Sequence, residues 1–134
     1  MKLIVTGSRD LDDPNFVAAK IDEYLRFKSG DVELINFVCK GVTNTAAKYA
    51  KDHGLKIISM QADWTKYPKD AAKIRNAVAA KLADELLVIQ YMDEHETKEL
   101  IQNMKDMHKP TWVVNVPRKD NNNAGPRKYR CVRR

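Results

Sequence analysis

Apolar positions along the chain alternate between two patterns. Short continuous runs read as strands, and stripes spaced by three and four residues read as helices. Leu3 to Thr6 is a short apolar run closed by Gly7. Asp13-Pro14 follows, an acidic cap and a first-turn proline that predict a helix start. From about Pro14 to Lys28 the residues Phe16, Val17, Ile21, Tyr24 and Leu25 share one stripe, and Ser29-Gly30 ends it. Val32 to Cys39 is a second β-prone run, interrupted at Gly41. Thr43 to His53 reads as a short helix closed by Gly54, where a left-handed cap is wanted.

The unit then repeats. Leu55 to Met60 is a third strand, and the loop Gln61 to Pro68 leads into a helix with Ile74, Val78 and Leu82 spaced by four. Leu86 to Tyr91 is continuously apolar, as in strands buried on both faces, and Glu94 to Lys109 is a helix carrying Leu100, Ile101, Met104 and Met107. Thr111 to Val116 is the last strand. Five strands alternating with four helices predict an α/β, Rossmann-like domain, a parallel five-stranded sheet with helices on both faces, because right-handed crossovers leave few other solutions. The domain spans residues 1–117. The segment 118–134 holds three consecutive asparagines, Gly125-Pro126 and basic residues, and reads as a disordered basic tail.

Charge sharpens this division. The chain has 134 residues and a net charge of +6, which alone invites a nucleic-acid reading. Residues 1–117 carry 17 basic and 17 acidic side chains, so the body is neutral and the surplus belongs to the tail. Two readings stand side by side for residues 118–134: a nucleic-acid-binding segment whose affinity falls steeply with salt, or a solubilising end or short partner-docking segment. The length suits one domain. No apolar run approaches the ~20 residues of a membrane helix, and no signal-peptide stretch opens the chain. A cytoplasmic protein with no membrane partner is expected. Cys39 and Cys131 lack metal-site spacing, so neither a disulfide framework nor a metal is expected, and no motif calls for a cofactor.

In open parallel sheets ligands bind beyond the carboxyl ends of the strands, so the residues just after each strand are the informative ones. After the first strand stands Gly7-Ser8-Arg9-Asp10: a glycine that admits close backbone approach, a hydroxyl, and a guanidinium fork for an oxyanion. Its ordinary structural role would be a turn with Arg9 paired to a neighbouring aspartate. The loop after the third strand carries Asp63, Trp64, Lys66, Tyr67 and Lys69, followed on the helix by Lys73, Arg75 and Asn76. Aromatic faces beside fixed cations suit a nucleotide, with a base stacked on Trp64 or Tyr67 and phosphate oxygens met by Arg75 and the lysines. The competing role for Trp64 is to plug the end of the sheet, and for Asn76 to cap backbone.

These residues carry a resemblance. The opening strand with Gly7-Ser8-Arg9-Asp10, together with Ala62-Asp63-Trp64, Tyr67, Lys69, Ala71 or Ala72, and Ile74-Arg75-Asn76, resembles the SLOG superfamily in its YspA-like branch over roughly residues 1–116. That superfamily also holds the LOG phosphoribohydrolases and the DNA-processing protein DprA. The resemblance implies a Rossmann-like sheet that binds a nucleotide or nucleotide-derived molecule, as a ligand sensor or as a hydrolase of N-glycosidic bonds. It also implies assembly through helix faces into a homo-oligomer.

The departures are specific. Where the branch carries a glycine-rich phosphate loop after the second strand, this chain has Phe37 to Asn44 with Gly41 as the remaining glycine. Where a second glycine-rich run opens the fourth helix, Asp93-Glu94-His95-Glu96-Thr97 stands instead. Asp93, Glu94 and Glu96 are expected to cap that helix and repel phosphate from its amino end. Such eroded loops fit a protein of phage or mobile-element origin. The resemblance still implies one catalytic pair, Arg75 to hold phosphate and Glu99 to stabilise charge on the sugar or activate water. The ligand-binding set is then Gly7, Ser8, Arg9, Asp10, Gly41, Asp63, Trp64, Tyr67, Lys69, Arg75, Asn76 and Thr97. Binding without turnover is the leading expectation, with an N-glycosidase and tail-mediated nucleic-acid binding as the alternatives.

Overall fold

A computed structural model describes residues 1–28 and 30–118. Ser29 and residues 119–134, with Cys131 and all of the expected tail after Arg118, lie outside the described residues. The order of elements is β1 (Lys2–Gly7), α1 (Pro14–Leu25), β2 (Glu33–Asn36), α2 (Val42–Asp52), β3 (Lys56–Ser59), α3 (Ala71–Leu82), β4 (Glu85–Tyr91), α4 (Lys98–Asp106) and β5 (Thr111–Val116). All four strand pairings are parallel, and the strands lie in the order β3-β2-β1-β4-β5. The predicted α/β Rossmann-like fold is therefore the observed one.

The alternation of side chains across a sheet covered on both faces explains why the middles of the central strands, Leu3 to Val5 and Leu86 to Ile89, are continuously apolar. Leu3 and Val5 of β1, with Leu87 and Ile89 of β4, point to one face and pack against Val17 and Ile21 of α1 and Ala46 and Ala50 of α2. Ile4, Leu86 and Val88 point to the other face, against Ala79 and Ala80 of α3 and Leu100 and Met104 of α4. After β1 the chain leaves toward the α1/α2 face, and after β4 toward the α3/α4 face. The two loops diverge between neighbouring strands, which opens the crevice where this topology binds ligands.

Local chemistry sets the element ends. Asp13 caps α1 by accepting the Phe16 amide at 3.3 Å, with Pro14 in the first turn as expected. The second strand stops at Asn36 instead of running to Cys39. The Asn36 side chain accepts the Val38 amide at 2.9 Å and donates to the Thr43 carbonyl at 2.8 Å, and Val38 takes a positive φ of 59°. Thr43 Oγ1 then accepts the Cys39 amide at 2.9 Å and donates to the Cys39 carbonyl at 2.7 Å, tying the loop to α2.

Two helix expectations are corrected. The fourth helix begins at Lys98, with Thr97 at its cap, so Asp93, Glu94 and Glu96 lie in the preceding loop and do not cap it. Glu94 is held by a turn, its amide donating to the Tyr91 carbonyl at 3.0 Å. On α3 the i, i+4, i+8 ridge faces outward: Ile74, Val78 and Leu82 are 37%, 50% and 40% exposed. The sheet side of α3 is made of Ala71, Asn76, Ala79 and Ala80, small groups that fit against the bulky Ile4, Ile35, Phe37 and Leu86.

Candidate functional site

A cleft opens at the carboxyl ends of β1 and β2, lined by Thr6, Gly7, Arg9, Phe37, Cys39, Thr43, Arg75, Asn76, Glu96, Thr97 and Leu100. It is positioned from below by backbone. Gly7 packs so closely on β4 that a Cβ there would stand 1.8 Å from the Ile89 carbonyl oxygen. Gly41, at φ +70°, brings the start of α2 against the carbonyls of Ser8 and Arg9, and the Val42 amide donates to the Ser8 carbonyl at 3.3 Å. Ser8 itself is buried, its Oγ accepting the Tyr91 amide at 2.9 Å, so this hydroxyl ties β1 to β4 beneath the cleft.

Arg75 reaches the cleft from the first half of α3. Its Nε and Nη2 donate to Asn76 Oδ1 at 3.2 and 3.0 Å, and its guanidinium lies over the Phe37 ring. Burial pushes its pKa below the ordinary arginine value, and Arg9 nearby pushes the same way, while Cys39 and Glu96 offset both. Arg9 sits across the cleft with its Nε 3.9 Å from Glu96 Oε1, a loose pair with both partners about half exposed. Two guanidinium groups thus share one cleft with one carboxylate, an arrangement that favours an anionic ligand group. A relay that runs from the buried Thr97 and Gln90 out to the exposed Asn115 supports the far wall, Thr97 Oγ1 donating to Gln90 Oε1 at 2.5 Å and Gln90 Nε2 to Asn115 Oδ1 at 3.2 Å.

The cleft holds about 50 Å³ of solvent-accessible volume. At roughly 10–15 Å³ for each water position this is space for about four waters, the bulk of a phosphoryl group and far below the ~300 Å³ of a small whole-ligand pocket.

Of the residues singled out from the sequence, Gly7, Arg9, Arg75, Asn76 and Thr97 line this cleft, and Ser8 and Gly41 pack directly behind it. The third-loop residues do not line it. Asp63 closes a turn, accepting the Lys66 amide at 3.1 Å, Lys66 sits over the Tyr67 ring, and Lys69 is exposed. Trp64 is 54% exposed, so it does not plug the sheet. Glu99 faces outward on α4, 4.0 Å from Lys73, and the carboxylate that does line the cleft is Glu96. Sequence reasoning also passed over Phe37, Cys39 and Thr43, although they follow β2 as Arg9 follows β1.

Asp10 takes a different partner. Arg118 Nη1 meets Asp10 Oδ2 at 2.9 Å, while its Nε meets both oxygens of Asp93 at 3.0 and 3.1 Å and its Nη2 approaches Glu94 at 3.5 Å. The guanidinium stacks on the Tyr91 ring, 3.9 Å from its centre.

Against known protein families, the model of the YspA, cpYpsA-related SLOG family matches residues 1–67. The chain belongs to this family. Membership points to nucleotide-related binding or activity in general. The matched stretch of this SLOG-family protein covers β1, the Gly7-Ser8-Arg9-Asp10 loop and the Asp63 to Tyr67 turn, and ends before α3 and Arg75. No curated protein and no solved structure matched the chain. No helix among the described residues is long and apolar enough to cross a membrane.

Proposed function

We propose that this SLOG-family protein binds a nucleotide or nucleotide-derived small molecule at the carboxyl edge of its sheet, as a sensor or sequestering protein. The observation that carries this reading is that Arg9, from the loop after β1, and Arg75, from α3, line one cleft of phosphoryl size. The phosphate enters between the two guanidinium groups. The nucleoside stays over the mouth, because the enclosed space is too small for it. A thermal-shift and calorimetry panel of nucleoside monophosphates, ADP-ribose variants, cyclic dinucleotides and inorganic pyrophosphate tests the reading. At a hundredfold excess over Kd a true ligand contributes about 2.7 kcal/mol, which raises Tm by several degrees. No shift with any member of the panel would sink it.

A second reading, cleavage of an N-glycosidic bond in a nucleotide, is supported by the carboxylate in the cleft. There Glu96 would activate a water for attack on the anomeric carbon as the base departs, with Arg75 holding the phosphate. Free base released from a nucleoside monophosphate, lost in Glu96→Gln and kept in Glu99→Gln, is the expected result. Silence of the wild-type protein across such substrates removes this reading and leaves binding untouched.

A further inference from the structure

The side chain of Arg118 bridges the two loops that diverge at the switch point. Asp10 belongs to the loop after β1, and Asp93 and Glu94 to the loop after β4; the guanidinium of Arg118, which follows β5, bonds to carboxylates on both. Its chain has crossed the end of β4 to do so, and the Tyr91 ring forms the floor on which the guanidinium lies. Burial disfavours its charge, but the hydrogen bonds it donates to Asp10 and Asp93 outweigh that and raise its pKa.

Three carboxylates gathered on two facing loops would repel one another without a cation between them. A planar fork spreads five donors over three nitrogens, so it reaches three separate carboxylates while its face lies on the Tyr91 ring; an ammonium has to bring all three to one nitrogen and has no face to stack. The neighbours of these acids are the cleft residues: Arg9 precedes Asp10, and Glu96 and Thr97 follow Glu94 by two and three residues.

We propose that Arg118 is a positioning residue: it straps the β1 loop to the β4 loop and so sets where Arg9 and Glu96 stand in the cleft. The consequence for affinity rests on the binding reading above, whereas the strap itself does not. It also assigns to the folded body a residue that charge bookkeeping alone places with the basic tail.

The test uses the full chain, wild type against Arg118→Gln and Arg118→Lys, in two measurements. Amide exchange is followed at Leu11 and Glu94, whose amides bond within the two strapped loops to the carbonyls of Ser8 and Tyr91, with Val5 and Val88 as core controls. Both variants are expected to exchange roughly five- to tenfold faster at Leu11 and Glu94 and unchanged at the controls. AMP and pyrophosphate binding is measured in parallel by calorimetry and is expected to weaken in step, with ethylguanidinium restoring both readouts in Arg118→Gln. Unchanged exchange at Leu11 and Glu94 overturns the proposal. So does faster exchange with unchanged affinity, because the strap would then position nothing in the cleft. If the wild type binds neither probe, the panel member that shifts Tm replaces them; if none does, the binding reading fails, and the exchange comparison decides the strap alone. Should Arg118→Gln fail to fold, Asp10→Asn cuts the same tie from the other loop and is held to the same outcomes.

Discussion

The guanidinium carbon of Arg75 lies 4.0 Å from the centre of the Phe37 ring. Two of its nitrogens are already spent on Asn76 Oδ1, so one neighbour and one ring face fix the plane of the fork and leave its remaining donors for the cleft. A pre-oriented fork loses little entropy on meeting an oxyanion. Replacing Arg75 by Lys keeps the charge and loses the plane, the stacking and the paired donors. Arg75→Lys is therefore expected to weaken binding of a phosphate-bearing ligand by about tenfold or more, and Phe37→Leu by less. Calorimetry with the tightest ligand of the panel checks both, and equal affinity for Arg75→Lys and wild type contradicts this account.

Gly7 separates packing from backbone freedom. A Cβ at Gly7 would meet the Ile89 carbonyl oxygen at 1.8 Å and Val42 Cγ2 at 2.8 Å, and β4 cannot retreat because Gly7 and Ile89 are paired in the sheet. Gly7→Ala is expected to cost roughly 3 kcal/mol or more. Gly54 is the contrast. Its φ is +69°, but nothing lies within 4 Å of its missing side chain, so Gly54→Ala carries only the left-handed cost of about 1–2 kcal/mol. Urea unfolding of the two variants should rank them in that order.

The strands and the two-faced core were legible because burial on both faces leaves a clear trace: Leu3 to Val5 of β1 and Leu86 to Ile89 of β4 are continuously apolar. Helix faces were less legible, and α3 shows why. Its large apolar residues Ile74, Val78 and Leu82 mark a helix by their spacing, yet the face it presents to the sheet is alanine, since residue size says nothing about which side has room. The start of α4 was misjudged for an electrostatic reason. Asp93 and Glu94 look like cap residues in sequence, but Arg118, some 25 positions later, binds them in the loop. In the site, Arg9, Arg75, Asn76 and Thr97 could be found from strand-end and motif reasoning. Phe37, Cys39 and Glu96 needed the fold, because their roles come from what the other loops bring beside them.

Lys109 is half-buried and held by its bonding. Its Nζ donates to the carbonyls of Ala80, Lys81 and Ala83 at 2.7, 3.0 and 2.7 Å, where α3 ends and its last carbonyls lack helical partners. An ammonium there also meets the negative end of the helix dipole. Lys109→Met keeps most of the stem and removes all three bonds. The expected loss is about 1–3 kcal/mol, read from the denaturant midpoint with an unchanged slope. A loss under about 0.5 kcal/mol would mean that water replaces the ammonium at no cost.

Two tyrosines make stability sensitive to alkali. The Tyr24 hydroxyl donates to Glu85, which also pairs with Lys28 at 3.0 Å, and the Tyr49 hydroxyl donates to Asp22 at 2.6 Å. Burial, and then the bonded carboxylate, raise both phenol pKa values above the ordinary value of 10.0. In the unfolded chain the same phenols lose their protons near pH 10. Below that pH both states are protonated and the contribution is complete. Above it the unfolded state sheds protons that the folded state retains, so the folded state binds more protons and stability falls as pH rises. The urea midpoint of the wild type is therefore expected to be level from about pH 8 and to decline above about pH 10. In the Tyr24→Phe, Tyr49→Phe double variant the midpoint starts lower but declines less steeply. Equal slopes for wild type and double variant would show that these two hydroxyls are not the groups that bind the extra protons.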